Sequence, residues 1–384
     1  MSADSARQPA PRGDWSRLLF VLPAMGAGGS ERVVATIANE WARQGRHIGI
    51  VTFEPSSATP YYPLDPKVSF TQLDLPPISR PKWRAAARTL ERISALRRTF
   101  REFAPDAVIS FLTKTNVMSV AAAQGLNIPV IISERNNPEL QEFDPLWNWS
   151  RARAYPRAYS FVTMTQRAAD FYPVAQRPRT RIIANPVVLP EWKEERGGHV
   201  LTAVGRLNRQ KRFDRLIDAF SLIAADHPTW KLVIWGKGPD LAALQAQRDR
   251  LGLTDRVEFP GLTSAPGLWV ETADIFVLSS EYEGWANVIV EAMAAGLPVV
   301  SFDCPFGPRE IISHGVNGIL APSGDVRALA AALSEVMGDE NLRRRLGQGA
   351  EESSRKYTPA AITGEWAKIV SEAVAARRTP RASV

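Results

Sequence analysis

The stretch from Ala273 to Cys304 constrains the fold more than any other. Ala273-Asp-Ile-Phe-Val-Leu278 is a short apolar run of the kind that forms a buried parallel strand. Gly284 opens a loop, Asn287 is a good N-cap, and the apolar residues after it predict a helix of about three turns. Gly296 closes that helix, Pro298 forbids its continuation, and Val299-Val-Ser-Phe-Asp303 begins another strand. The unit is strand, loop, helix, strand, with Glu283 on the loop and Glu291 inside the helix.

Glu291 sits among Val288, Ile289, Val290, Ala292, Met293, Ala294 and Ala295, so its helix is expected to be buried on most sides. A buried carboxylate is costly without hydrogen-bonding or charged partners. On one helix, residues spaced as Glu283 and Glu291 are would stand about 12 Å apart, against about 5–5.5 Å for a retaining glycosidase pair. They are not a nucleophile and acid/base couple. Free N–H groups around Ala286–Val288 and the positive helix end suit a diphosphate. Glu283 would then hold sugar hydroxyls and Glu291 a ribose diol. An internal ion pair from Glu291 with a solvated Glu283 is the plainer alternative.

EGWANVIVEAMAAGLPVVSFDCPFGPREII, with its Glu-x7-Glu spacing, resembles the donor-site signature of glycosyltransferase family 4, retaining enzymes of the GT-B fold. The resemblance runs from about Leu18 to about Trp366. It implies an α/β fold of two facing Rossmann-like, doubly wound domains with an interdomain cleft. The chain departs from the family at Ala286, where proline is frequent, and at Trp285, bulkier than the usual phenylalanine. Both bear on sugar selectivity.

A chain of 384 residues suits two domains. Its single cysteine rules out a disulfide within the chain and fits a reducing cytoplasm. Residues 1–14 lack the apolar core of a signal peptide and read as a flexible tail. No run reaches the roughly 18 apolar residues of a membrane span. The net charge of +7 suggests an anionic partner: nucleic acid, membrane surface or phosphorylated substrate. The boundaries expected are an N-terminal acceptor-side domain over 15–186, a linker over 187–198 and a nucleotide-sugar domain over 199–358. By the resemblance, 359–384 forms a last helix crossing back to the first domain.

Arg17-Leu-Leu-Phe-Val-Leu22 is a first strand, and the glycine loop after it, Gly26-Ala-Gly28-Gly29, is a phosphate-type site or simply a tight turn. It fails the dinucleotide fingerprint, because Glu31 stands where the third glycine would fall. In the family this loop faces the cleft, where Gly28 and Gly29 let donor or acceptor approach the backbone. His47–Phe53 is a second strand, and Glu54–Pro77 reads mostly as loop. Arg80 to Phe103 is an arginine-rich amphipathic helix with Trp83 near its start. It suits an anionic membrane or a surface position with its stripe on the sheet, and both can hold. Polar residues past Pro105–Leu112 and Ile128–Ser133 stand where α/β proteins bind ligands. Thr113, Asn116, Arg135 and Asn136 are therefore acceptor-side candidates. ISFLTKTN and IISERNN resemble, within the family, bacterial transferases that add hexosamines to undecaprenyl-diphosphate-linked oligosaccharides. Trp147–Tyr159, with Arg151, Arg153 and Arg157, is a second basic–aromatic patch.

The second half opens with a strand over Val200–Val204. Gly205-Arg206 and then Lys211 bring two cations to one spot, each worth about 1.5–3 kcal/mol against an anion. By the resemblance, Arg206 and Lys211 hold the donor β-phosphate, with Gly205 close to it. Phe259, Gly261 and Leu262 border the base, and Gly284, Trp285, Ala286, Asn287 and Val288 line the donor beside Glu283 and Glu291. Catalysis would fall to Arg206, Lys211 and Glu283. No diphosphate–metal motif and no metal-spaced His/Cys/Asp cluster is present, so no cofactor and no metal are expected. The expected partners are a UDP-sugar, a polyprenyl-diphosphate-linked glycan and the anionic inner-membrane surface, with no nucleic acid. The location expected is cytoplasmic, peripheral at the inner face of the cell membrane. Alternatives are another nucleotide sugar with a soluble acceptor, or a GT-B-like sugar-nucleotide epimerase.

Overall fold

Apolar strands followed by helical crossovers recur through both halves of the chain, a pattern that yields parallel sheets covered on their faces. The computed structural model describes residues 15–75, 82–193 and 195–378, with backbone alone at 82–85 and 378. The expected tail over 1–14, Arg80, and the side chains of Lys82, Trp83 and Arg84 lie outside the described residues.

The first unit runs to Ala184 and regains the chain from Ile362 onward; the second is Asn185–Ala361. Strands of the first are β1 (Arg17–Val21), β2 (His47–Thr52), β3 (Ser69–Gln72), β4 (Ala107–Phe111), β5 (Val130–Ser133), β6 (Ser160–Thr163) and β7 (Arg181–Ile182). They pair in parallel in the order β3-β2-β1-β4-β5-β6-β7. Strands of the second are β8 (Val200–Val204), β9 (Lys231–Trp235), β10 (Val257–Gly261), β11 (Ile275–Leu278), β12 (Val299–Phe302) and β13 (Ile319–Ala321). They too pair in parallel, in the order β10-β9-β8-β11-β12-β13. Each sheet therefore reverses its strand order once, between β1 and β4 and between β8 and β11. Ligands of doubly wound folds bind beyond the carboxyl ends of the strands at such a reversal.

Helices α1 (Gly29–Arg43), α2 (Lys82–Phe103), α3 (Thr113–Ala123), α4 (Pro145–Ala154) and α5 (Gln166–Asp170) precede the second unit. That unit carries α6 (Phe213–Ile223), α7 (Leu241–Arg250), α8 (Asn287–Ala294), α9 (Pro308–Ile311), α10 (Val326–Gly338) and α11 (Glu340–Ser354). The last, α12 (Pro359–Arg378), packs Trp366 against Phe111 of β4 with ring centroids 5.9 Å apart. Burying that indole (0% exposed) fixes the chain's end to the first unit, because a large aromatic contributes heavily to core burial.

One expectation is corrected and two are refined. Glu54–Pro77 contains β3, whose exposed–intermediate alternation at a sheet edge left no apolar run to read. The helix after Gly284 is eight residues long, not about three turns, and Ala286 occupies its N-cap with no side-chain hydrogen bond. Asn287 is its first residue, and its Oδ1 instead accepts from Asn185 Nδ2 at 2.9 Å. In α2, Leu96 and Phe100 are fully buried, and Ile93 and Phe103 pack on the same core. Its arginines are drawn inward as well: Arg92 donates to the Leu75 carbonyl and Arg97 to those of Ala122 and Gln124. Most of the apolar stripe is thus spent on the first unit's core, the packed position that the sequence also allowed, although Leu90 stays 68% exposed.

Candidate active site

The loops leaving β8 and β11, neighbours at the second sheet's reversal, are laced together. Lys211 ends a short turn after β8 and Glu283 lies on the loop after β11. Lys211 Nζ donates to Glu283 Oε1 at 2.6 Å, and Ser280 Oγ donates to the same oxygen at 2.6 Å. Both side chains are enclosed, the lysine 16% and the glutamate 8% exposed, which strengthens their attraction relative to a solvated pair. The backbones lock too. Ser279 Oγ donates to the Lys211 carbonyl at 2.8 Å, Glu281 N to the Gln210 carbonyl at 2.8 Å, and Gln210 Nε2 to the Tyr282 carbonyl at 3.1 Å. Ser279 and Ser280 went unmarked in the sequence; the readable signal was a serine three residues before a loop acid.

Glycines let these loops close. The Lys211 stem lies over Gly205, where a Cβ would come within 2.9 Å of its Cε. Gly236, at φ +150°, follows β9 so closely that a Cβ would stand 1.8 Å from the Gly205 carbonyl oxygen. Gly236 N in turn donates to the Gly261 carbonyl at 2.7 Å. The ends of β8, β9 and β10 thereby form one low backbone ledge. Arg206 stands exposed beside it, with no side-chain partner among the described residues. Phe259 turns toward the core under Arg248, and Leu262 projects outward, 65% exposed.

Behind the acid, Glu283 N donates to the Pro305 carbonyl at 3.1 Å, seating the loop after β11 on the one after β12. Gly284 precedes Trp285, which is buried edge-on against Tyr357 with centroids 5.6 Å apart. Ala286, Asn287 and Val288 then start α8, on which Glu291 is 6% exposed. Glu283 is also buried, so the alternative of a solvated acid is corrected. Cys304 lies behind Glu283; burial first, then that carboxylate, pushes its thiol up to about 12 and keeps it protonated.

In the first unit the structure turns the acceptor-side candidates inward. Thr113 Oγ1 donates to Glu134 Oε2 at 3.0 Å and Asn116 Nδ2 to Glu134 Oε1 at 3.2 Å, with Tyr155 Oη also donating to Oε1. Burial raises the Glu134 carboxyl above its ordinary value, opposed by those donors, and holds Tyr155 well above the usual phenol range. Arg135 is buried, donating to Ser133 Oγ and the Ile183 carbonyl between the Phe111 and Trp366 rings. Of the four candidates only Asn136 is exposed. Sequence reasoning missed Glu134 and Tyr155, because nothing local announces that a strand-end acid will meet a tyrosine 21 residues later. The glycine loop is occupied by its own chain: a Cβ on Gly28 would lie 2.2 Å from Glu31 Oε2, next to Gly29 at the start of α1. Burial, partly offset by its own backbone N–H, raises the Glu31 carboxyl, and Glu54 adds to the rise.

The family model of glycosyl transferases group 1 matches residues 189–353, and the glycosyl transferase 4-like domain matches residues 28–187. The chain is 32% identical over 309 residues to an exopolysaccharide phosphotransferase of Streptomyces coelicolor, covering 78% of this chain but only 32% of that protein. A Campylobacter jejuni α-1,4-N-acetyl-D-galactosaminyltransferase, named for an undecaprenol-diphosphate-linked substrate, is 26% identical over 93% of this chain and 98% of its own. The solved structure of Anabaena HepE in complex with UDP superposes with a TM-score of 0.74 at 19% identity, over 93% of this chain and all of that one. With two parallel doubly wound sheets and a glycosyltransferase match across each half, the chain is a glycosyltransferase of the two-domain GT-B fold.

Proposed function

We propose that the enzyme moves a sugar, an N-acetylhexosamine, from a UDP donor to a polyprenyl-diphosphate-linked saccharide in surface-glycan synthesis, with retention at the anomeric carbon. The observation that carries this reading is the Lys211–Glu283 pair at the reversal of the second sheet, beside exposed Arg206 and the start of α8. A diphosphate arriving there meets two cations and a positive helix end, fixed in advance where leaving-group charge develops. Lys211 exchanges its carboxylate for phosphate, which releases Glu283 to accept hydrogen bonds from sugar hydroxyls. Glu291, deeper on α8, takes the ribose diol. The donor's glycosidic C–O bond breaks, UDP departs, and the acceptor hydroxyl adds on the same face while its proton passes to the departing phosphate.

The names of the relatives support a glycan acceptor, and the Campylobacter relative's name supports a lipid-linked one. Metal independence is part of the proposal, since the cations occupy the role a divalent ion would otherwise take. Thermal shifts against UDP- and GDP-sugars identify the donor, and the coupling constant of the product's new anomeric proton reports its configuration. Stabilisation by GDP-sugars alone, inversion at that carbon, or loss of turnover on EDTA addition each removes the corresponding part. The acceptor assignment places the enzyme at the cytoplasmic face of the membrane. Among the described residues no helix is long and apolar enough to cross it.

A further inference from the structure

The loop joining β2 to β3 is long for a compact α/β unit, running over residues 53–68 with no strand or helix of its own. Connections of that length are uncommon and mark functional or disordered segments. This one is fastened along its length. Tyr61 N donates to the Met25 carbonyl at 2.8 Å and Tyr62 Oη to the Ala27 carbonyl at 3.4 Å, which seats it on the glycine loop after β1. Asn39 of α1 donates to the Pro63 carbonyl at 2.9 Å, and Gln72 of β3 to the Ala58 carbonyl at 2.6 Å. Pro60 and Pro63 bracket the two tyrosines and restrict the backbone further. On this support the Tyr61 residue is 59% exposed, and the Tyr62 ring meets its ring edge-on with centroids 5.0 Å apart. A tyrosine held in this way offers an apolar face to a ligand with little entropy left to lose.

Carboxylates stand beside the same glycine loop. Glu54 Oε2 accepts from Met25 N at 2.7 Å, and Glu31 Oε2 lies over Gly28, where a Cβ would come within 2.2 Å of it. Two acids there repel a phosphate, the ligand that a glycine loop suggests, yet carboxylates accept hydrogen bonds from hydroxyls. An aromatic face next to hydroxyl acceptors matches a pyranose ring, which is C–H on its faces and hydroxyl around its rim. The negative face of the tyrosine ring attracts those C–H groups. The place also suits a ligand, because the loop after β1 leaves the first sheet at its reversal, beyond the carboxyl ends of the strands.

We propose that Tyr61, backed by Tyr62, forms with Glu31 and Glu54 a saccharide subsite of the first unit, where the acceptor glycan stacks a pyranose ring on Tyr61 and donates hydroxyls to the acids. The inference deepens the glycan-acceptor reading and rests on it. It gives the subsite to the acceptor and not to the donor, whose proposed contacts Lys211 and Glu283 belong to the second unit.

Steady-state transfer by the full chain to a short-chain, water-soluble polyprenyl-diphosphate disaccharide of N-acetylhexosamine tests this. Tyr61→Ala should raise the KM for that acceptor about tenfold and leave the KM for the UDP-sugar where it was. Tyr61→Phe should match the wild type, while Tyr61→Leu should resemble the alanine variant, because leucine keeps apolar contact without a ring. Glu54→Gln, still able to accept from Met25 N, should raise the acceptor KM about threefold. Leu222→Ser, exposed on α6, should change neither constant. Saturation-transfer NMR with the methyl glycoside of the same disaccharide gives a readout that needs no turnover: the wild type should saturate the sugar's ring protons and Tyr61→Ala should not. An unchanged acceptor KM in Tyr61→Ala, an equal rise in the donor KM, a leucine variant as good as the phenylalanine one, or saturation transfer that ignores Tyr61 would each overturn the proposal. Saturation transfer that depends on Tyr61, in a protein that never uses the lipid-linked acceptor, supports the subsite and defeats only the reading of the lipid.

Discussion

Glu134 and Glu283 occupy matching positions, each on a loop past the carboxyl end of a parallel strand, one in each unit. As whole residues both are buried, at 3% and 6% exposure, and both accept more than one hydrogen bond. They differ in who donates. Glu134 has the neutral groups of Thr113, Asn116 and Tyr155, and its proton is held more tightly than in water. Glu283 has one hydroxyl and a lysine, and so carries a counter-charge, the one that the proposed reaction hands to a phosphate. The first arrangement braces three elements, β5, α3 and the turn after α4. The second, on the proposed reading, holds a cation ready for exchange.

The sharpest way to break this contrast is Lys211→Ala. Removing one preorganised donor from the developing leaving-group charge should lower turnover by about 10²–10³-fold, read as UDP release. Unchanged turnover would reduce Lys211–Glu283 to a structural pair. Next in size, Glu134→Ala should cost about 1–3 kcal/mol of unfolding free energy, since it strands buried donors; Ser280→Ala should cost less, because Lys211 still satisfies Glu283. Urea denaturation of both variants measures the difference, and equal losses would erase the distinction between the two acids.

A subtler effect follows from the raised Glu134 carboxyl. Its contribution to stability is complete below the unfolded-state value of about 4.3 and is lost as pH rises through the higher folded value. Wild type should therefore lose stability relative to Glu134→Gln as pH climbs from there, and a difference independent of pH would contradict the raised carboxyl. The smallest signal belongs to Cys304. With its thiol pushed up to about 12, iodoacetamide at pH 8 should leave the folded protein unmodified and label it only after unfolding. Rapid labelling of the native chain would show that the pocket behind Glu283 is open to solvent.

Long apolar runs such as Arg17–Val21 and Ile275–Leu278 made the parallel strands legible, because a strand buried on both faces has no polar alternation to hide it. Ser69–Gln72 carried no such run, and its partner β2 alone makes it a strand. Gly205, Arg206 and Lys211 could be singled out by spacing within a few residues of one strand end. The pairing of Lys211 with Glu283 could not: Glu283 lies 72 residues on, and only the adjacency of β8 and β11 brings the two together. Asn287 shows the reverse failure. It has the right side chain for a cap, yet Asn185, 102 residues away, claims its oxygen.

Sequence alone determined the α/β alternation, the glycine-lined loop after Val204 and the acid spacing around α8, all properties of short windows governed by local sterics and periodicity. Tertiary structure decided which side chains those windows could keep for chemistry. It sank most of the α2 stripe and three of the four acceptor-side candidates into the first unit, and left Leu90, Leu146 and Trp149 outside. Burial is a property of the whole packed chain: a helix shows from its pattern that it has an apolar face, but only its neighbours determine whether that face is already covered.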